Sequence, residues 1–339
     1  MVTTTSFGKA SFLIMAGLLG VVATTSAQAE VAEVSLARQY GLHYLPLVLM
    51  ERNNLIEKHA KAAKVDLKVS WKQFSGGASV NEALISGALN IVAGGTGPLV
   101  TIWDKTKSNM GVKGFAAISE VPMVLLSRNP AFKSLKDISP KDRIALPAVK
   151  TSMQAITLQM AAAKLYGAKE YTKLDSQTVS MAHPDGVAAM LSGKLEVNAH
   201  FTAPPYSYKE LENPAIHRVM TSYDVYGGRA TLIVIYGTTK FYNENPTVVK
   251  IVLAALQEAI DMTNANRRKA VEEYIEVTKE KLDPNAIERF VADKDVGFDI
   301  APKGIFKVAE FMHSVGSVKN MPGSWKDMFF PTIHDKAGN

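Results

Sequence analysis

Short strand-like runs that end in a small-residue loop and pass straight into a helical run recur from residue 31 to residue 121. No other feature of the chain restricts its fold as strongly. Val31 to Ala37 alternates apolar and polar positions with a strand's period of two. It ends in Gln39-Tyr40-Gly41-Leu42-His43-Tyr44-Leu45-Pro46 before the helical run Leu47 to Asn53. Val65 to Phe74 repeats the pattern, followed by Ser75-Gly76-Gly77 and a helix over Ala78 to Ser86. Asn90 to Ala93 closes on Gly94-Gly95-Thr96-Gly97-Pro98, with the proline suited to the first turn of a helix over Leu99 to Thr106. Phe115 to Ile118 makes a fourth strand. Strands joined through helices at this spacing predict an α/β fold with a mostly parallel sheet and functional loops at the carboxyl ends of its strands.

A second α/β set begins near Val121-Pro122, where Met123 to Ser127 is an uninterrupted apolar strand. Strands follow at Arg143 to Leu146, Thr178 to Met181 and Val197 to Phe201, with helices over Ser152 to Tyr166 and Gly186 to Ser192 between them. After Gly227-Gly228 the apolar, β-branched run Ala230 to Tyr236 reads as a buried strand carrying the chain back. From Asn245-Pro246 onward the pattern is helical: Thr247 to Asn266, Lys269 to Lys281, Pro284 to Val291 and Ile305 to His313. The 339 residues suffice for two domains. The expected division is one lobe from residues 30–121 and 232–339 and a second from 122–231, joined by two crossing strands. Such a clamshell closes on small ligands.

Residues 1–29 read as a secretory signal, with Lys9 in the n-region, an apolar stretch from Phe12 to Ala23 and an Ala27-Gln28-Ala29 cleavage site. The apolar core of about a dozen residues is short of the roughly 20 that a spanning helix needs. The chain is therefore expected to work in the periplasm. It contains no cysteine, which excludes thiol nucleophiles, zinc-thiolate and iron-sulfur sites, disulfides and a lipid-modified cysteine. The net charge of +6 is scattered with no Arg-rich tract, so nucleic acid is not an expected partner. The seven histidines show no metal-binding spacing and there is no G-x-S-x-G elbow or dinucleotide fingerprint. The expectation is a protein that is not an enzyme and carries no metal or cofactor.

Several of these segments carry a likeness to a known group. Ser75-Gly76-Gly77-Ala78, the run Glu82 to Asn90, Gly94-Gly95-Thr96-Gly97-Pro98, Leu135-Lys136-Asp137-Ile138 and Ala188 to Lys194 resemble, in order and spacing, the solute-binding proteins of nitrate, sulfonate and taurine transport. The thiamine-pyrimidine binders fall in the same group. The resemblance spans nearly all of the chain after residue 29 and implies a type II periplasmic binding protein fold. It also implies a monomer that delivers a small solute to an inner-membrane ABC permease. The chain departs from the pattern at Lys194 to Ala199 and in the loop His200-Phe201-Thr202-Ala203-Pro204-Pro205. It also lacks the cysteine-rich motif of the related fungal pyrimidine synthases.

Binding a small polar solute calls for preset donors at strand ends and helix N-termini. Gln39, Tyr40, His43 and Tyr44 form one candidate loop, able to stack on a ligand, hydrogen-bond it, or plug the core. Ser75, Gly76 and Gly77, and Gly95 with Thr96, offer free N–H groups where a backbone without Cβ approaches closely. From the second lobe, Thr151 and Ser152 are candidate caps and anion donors, and His183 is a candidate cleft residue. The resemblance places Thr202 at the cleft floor, and Arg229 is a cation able to pair with an acidic ligand or to stand solvated at the hinge. A sulfonate, a taurine-like compound or another small organic acid would use the glycine-helix N–H groups and one cation, for which Lys150, Arg229 and Arg38 are the few candidates near the cleft. A pyrimidine or aromatic ligand would instead use Tyr40, His43, Tyr44 and Phe201. A periplasmic sensor that presents its closed lobes to a membrane receptor is the alternative to transport.

Overall fold

The computed structural model of the protein describes residues 1–5, 29–194 and 196–339. The expected signal segment therefore lies, apart from its first five residues and Ala29, outside the described residues. Among those described, no helix is long and apolar enough to cross a membrane.

Eleven strands form two sheets among the described residues. They are β1 Glu33–Arg38, β2 Lys68–Gln73, β3 Ile91–Gly95, β4 Lys113–Glu120, β5 Val124–Ser127, β6 Ile144–Leu146, β7 Thr178–Ser180, β8 Ala199–Thr202, β9 His217–Thr221, β10 Ile233–Gly237 and β11 Gly297–Phe298. The first sheet has the order β11-β4-β10-β3-β1-β2 and the second β7-β6-β8-β5-β9. The chain leaves the first sheet between β4 and β5 and returns between β9 and β10.

The expectation of mostly parallel sheets is corrected at the returning strands. Strands β1, β2 and β3 pair in parallel, as do β6, β7 and β8. Strand β10 runs antiparallel to both β3 and β4, and β5 antiparallel to both β8 and β9. A helical crossover forces parallel pairing only between strands it joins within one sheet. β5 and β10 arrive from the other sheet, so that constraint does not act on them.

Helix ends follow the sequence signals closely in the C-terminal part, at Pro246–Ala265, Arg267–Thr278, Pro284–Ala292 and Ile305–Ser314. Elements beyond the expected set are the helices Leu55–Ala62 and Thr239–Glu244, the short helices Tyr206–Glu210 and Ser222–Tyr226, several single-turn 3-10 helices, and strands β9 and β11. The helix expected from Gly186 begins three residues earlier, at His183, with Pro184 in its first turn. Strand β10 is buried throughout, in keeping with its apolar run. The C-terminal segment comes back to the first sheet: Phe329 is fully buried, the Phe330 N–H donates to the Gly114 carbonyl at 2.8 Å, and the Phe330 ring stacks on Tyr242 with centroids 4.1 Å apart. A Cβ on Gly114 would lie 2.4 Å from the Phe329 ring, so glycine is what lets that ring lie flat on the strand.

In the second unit Asp142 ties three segments together. Its carboxylate accepts from the Ser139 N–H and hydroxyl at 2.7 and 2.8 Å, from Asn129 at 2.9 Å and from Asn198 at 2.8 Å. Burial by itself would raise its pKa, but these hydrogen bonds outweigh burial and hold the carboxyl below its ordinary value. A carboxyl depressed in the folded state contributes stability that is present above the unfolded pKa, about 4, and is lost as pH falls through the folded value. Denaturation midpoints should therefore decline below about pH 4. The decline should be shallower in Asp142→Asn, which also costs about 1–3 kcal/mol at neutral pH by leaving donors unpaired. Equal acid slopes in the two proteins would sink this assignment.

Candidate functional site

The helices that follow β2, β3, β6 and β7 begin at Gly77, Thr96, Met153 and His183, and their first turns meet at one place between the two sheets. Each begins at or a few residues past the carboxyl end of its strand, the one at Thr96 directly after β3, the geometry the alternating pattern predicts. Three of the four have no side-chain cap, since their N-cap residues are Gly76, Gly95 and Ala182. In the fourth, the Ser152 hydroxyl accepts from the Ala155 N–H. Uncapped first turns leave backbone N–H groups in need of partners.

A pocket of about 30 Å³ lies at this convergence. Nine of the expected residues line it: Gln39, Tyr40, His43, Tyr44, Ser75, Gly77, Gly95, Ser152 and His183. The remainder of the wall is Pro98, Pro147, Met153, Gln154, Leu232 and Ile233. No charged side chain is among them.

The other five expected residues stand elsewhere. Gly76 is extended and precedes the helix, packed against Pro147. The Thr96 hydroxyl is buried and donates to the Met153 sulfur at 3.1 Å. Thr151 is exposed and lines a separate depression with Ala78, Asn81 and Thr101. Thr202 is buried behind the wall, its hydroxyl 3.2 Å from His183 Nδ1. Arg229 sits at the return crossover, where it donates to Glu120 at 3.1 Å and to the Lys294 carbonyl at 3.1 Å, while Lys303 donates to the same carboxylate at 2.7 Å. A buried carboxylate on the crossing strand accounts for that arginine, which is therefore not a cation of the pocket.

On the first-sheet side, Gly41 adopts φ +113°, and a Cβ there would lie 2.4 Å from the His43 ring. Glycine is thus needed both for the turn and for the ring that fills it. Burial, with a smaller contribution from nearby His183, depresses His43 to a pKa of about 3, so its imidazole is neutral, and its buried Nδ1 has no partner. The two sides touch directly. The Leu42 N–H donates to the Pro204 carbonyl at 3.0 Å, and the Gly97 N–H reaches the Met153 sulfur at 3.2 Å.

Behind His183 a line of polar side chains runs inward. The Gln154 amide is 3.3 Å from His183 Nε2, His183 Nδ1 is 3.1 Å from His200 Nε2, and His200 Nδ1 is 2.5 Å from Glu210 Oε1. His200 and Glu210 are both 0% exposed. Burial lowers both imidazoles, His200 to about 3, and raises the Glu210 carboxyl well above its ordinary value. Met153 and Gln154 were within reach of the helix-start signal at Lys150 to Gln154. Glu210 and Tyr206, whose ring stacks on His183, had no local signal because only the fold brings the helix Tyr206–Glu210 behind β8. Among the described residues, no group of acidic and histidine side chains is arranged to hold a metal ion.

Comparison with known proteins agrees with this architecture. No family model matches the chain. It is 28% identical over 251 residues, 72% of this chain and 69% of the other, to the taurine-binding periplasmic protein of Escherichia coli. Among solved structures it is similar to the alkanesulfonate-binding protein SsuA from Xanthomonas axonopodis pv. citri bound to MOPS. That match has a TM-score of 0.69 and 16% identity, over 86% of this chain and 96% of that one. It is also similar to the periplasmic nitrate-binding protein NrtA from Synechocystis, with a TM-score of 0.62 and 13% identity, over 88% of this chain and 84% of that one. The fold is that of the periplasmic binding proteins, with two α/β lobes joined by two crossing strands.

Proposed function

We infer that this chain is a solute-binding protein of the nitrate, sulfonate and taurine group, and that it captures a small anionic organic solute between its lobes for the permease of an ATP-driven importer. It works in the periplasm as a monomer. The lobes divide at residues 121/122 and 231/232, a reading supported by the pairing of β5 to β9 only with one another among the described strands.

The observation that carries this reading is the convergence of four helix N-termini on a pocket with no charged side chain. A helix N-terminus favours a nearby anion by about 0.3–1 kcal/mol when exposed and up to about 2 kcal/mol when partly buried. Four together contribute several kcal/mol, on the order of what a permanent cation would supply, while the N–H groups fix the orientation of the oxygens. A sulfonate offers three acceptors to that set. The neutral His43, with its unpartnered Nδ1, is placed to accept from an N–H or O–H on the same solute, which favours a taurine-like compound over a bare inorganic anion. Because wall residues come from both lobes, ligand contacts are complete only when the lobes are shut, and binding shifts the population to that state.

Thermal denaturation of ligand-stripped protein tests this. Taurine or an alkanesulfonate at about 100 times its Kd should add roughly 2.7 kcal/mol of stability, a rise of several degrees. Stabilisation by aromatic carboxylates or thiamine pyrimidines, with none by sulfonates or small organic acids, would overturn the ligand class. Binding without stimulation of the importer's ATPase would favour a sensor role.

A further inference from the structure

We propose that His183, His200 and Glu210 form a proton relay that places a positive charge on the pocket wall only while an anion occupies the pocket. The inference rests on the anion-binding reading of that pocket. It explains how a site without lysine or arginine in its wall can still meet a full negative charge.

The geometry is continuous. His183 faces the pocket, its Nδ1 is 3.1 Å from His200 Nε2, and His200 Nδ1 is 2.5 Å from the Glu210 carboxyl. Glu210 Oε2 is buried with no partner, and no lysine or arginine hydrogen-bonds any of the three among the described residues. An ionised Glu210 without a neighbouring cation would be costly in such surroundings. The resting arrangement is therefore neutral: Glu210 O–H donates to His200 Nδ1, His200 Nε2–H donates to His183 Nδ1, and His183 carries its own proton on Nε2. That last proton requires the Gln154 amide, whose nitrogen stands 3.3 Å away, to turn its oxygen toward the ring. Burial acts in the same sense, raising the carboxyl and lowering both imidazoles.

When an anion enters, two protons shift in the same direction. The Glu210 proton moves to His200 Nδ1, and the His200 Nε2 proton moves to His183 Nδ1. His183 becomes an imidazolium with protons on both nitrogens, His200 stays neutral in its other tautomer, and Glu210 is left as a carboxylate at the far end. No proton enters from solvent and no charge is created overall. Separating the charges is unfavourable alone, and the solute's negative charge beside His183 offsets it. The surrounding groups that face the relay are the Gln154 amide, the Thr202 hydroxyl at 3.2 Å, His43 from the other lobe, and Tyr206, whose ring stacks on His183 and whose hydroxyl donates to Glu280 at 2.6 Å. Gly186 gives the relay its space, since a Cβ there would lie 2.6 Å from the His200 ring.

The test is nitrogen NMR of histidine-labelled protein with and without ethanesulfonate, in the wild type and in Glu210→Gln. Glutamine keeps a donor to His200 Nδ1 but has no proton to transfer. Expected in the ligand-free wild type are two neutral rings, both protonated on Nε2. Saturation with ethanesulfonate should turn His183 into an imidazolium and move the His200 proton to Nδ1. Glu210→Gln should bind about tenfold more weakly, leave His183 neutral, and melt close to the wild type. A neutral His183 in the wild-type complex, or unchanged affinity in a folded Glu210→Gln, overturns the relay. If neither ethanesulfonate nor taurine binds the wild type, the ligand class fails and the ligand-free spectrum decides the relay. Protons on Nε2 of both rings support it, and a proton on His200 Nδ1, which blocks transfer from Glu210 to that nitrogen, overturns it.

Discussion

Gly97→Val will weaken solute binding by roughly one to two orders of magnitude while leaving the ligand-free protein folded. Gly97 opens the helix Thr96–Thr106 on the first lobe, and a Cβ there would lie 2.2 Å from Ile156 Cδ1 on the helix Met153–Tyr166 of the second. The conflict exists only when the lobes are together. Overpacking of this kind costs about 1–3 kcal/mol. Charged wholly to the closed state, that is about 5- to 150-fold in apparent affinity. Calorimetric titration with whichever sulfonate stabilises the wild type, beside the melting temperature of the ligand-free proteins, separates the two states. An unchanged affinity would mean that the solute is bound without closure of this contact. A melting temperature that falls as steeply as the affinity would mean that the glycine serves folding instead.

Phe329→Ala should cost about 3–5 kcal/mol of stability, the range for truncating a fully buried phenylalanine. Its ring lies on the bare backbone of Gly114, near the start of β4, and packs edge-on to Trp325. Strand β4 continues from Gly114 to Glu120 and the crossing, so loosening of the tail reaches the strand on which the second lobe hangs. Chemical denaturation measures the cost directly. A loss below about 1 kcal/mol would show that the site collapses around the missing ring or that the tail is not part of the cooperative unit.

How far the sequence anticipates these features depends on whether the signal is local. Helix starts at Gly77, Met153 and Pro246 are legible because a strand-end glycine, serine or proline states its role within a few residues, whereas the helix expected over Leu99 to Thr106 begins three residues earlier, at Thr96. The pocket wall built from those starts was therefore largely legible too. The antiparallel course of β5 and β10 was not, since a buried apolar run reads the same in either direction. Arg229 shows the limit for charge: its number places it near the crossing, but only the fold brings Glu120 and the Lys294 carbonyl to it. Glu210 is the clearest case. It lies in a polar stretch that reads as surface, and it becomes the fully buried end of the histidine line only because a short helix turns inward after the Pro204-Pro205 corner. The glycines divide the same way. Gly95-Thr96-Gly97 was legible as a place for close approach, but what approaches Gly97 is the other lobe's Met153 and Ile156.

The contacts that bridge the two lobes also govern rates. The Leu42–Pro204 hydrogen bond and the contacts of Thr96 and Gly97 with Met153 hold the two walls of the pocket together. Capture therefore proceeds through the parted lobes, and its observed rate constant should level off with rising solute concentration at the frequency with which the hinge opens. Escape waits on the same event. The lifetime of the loaded protein is then the waiting time for the lobes to part against the contacts the solute makes with both, and a membrane partner that prises them apart shortens that lifetime without competing for the pocket.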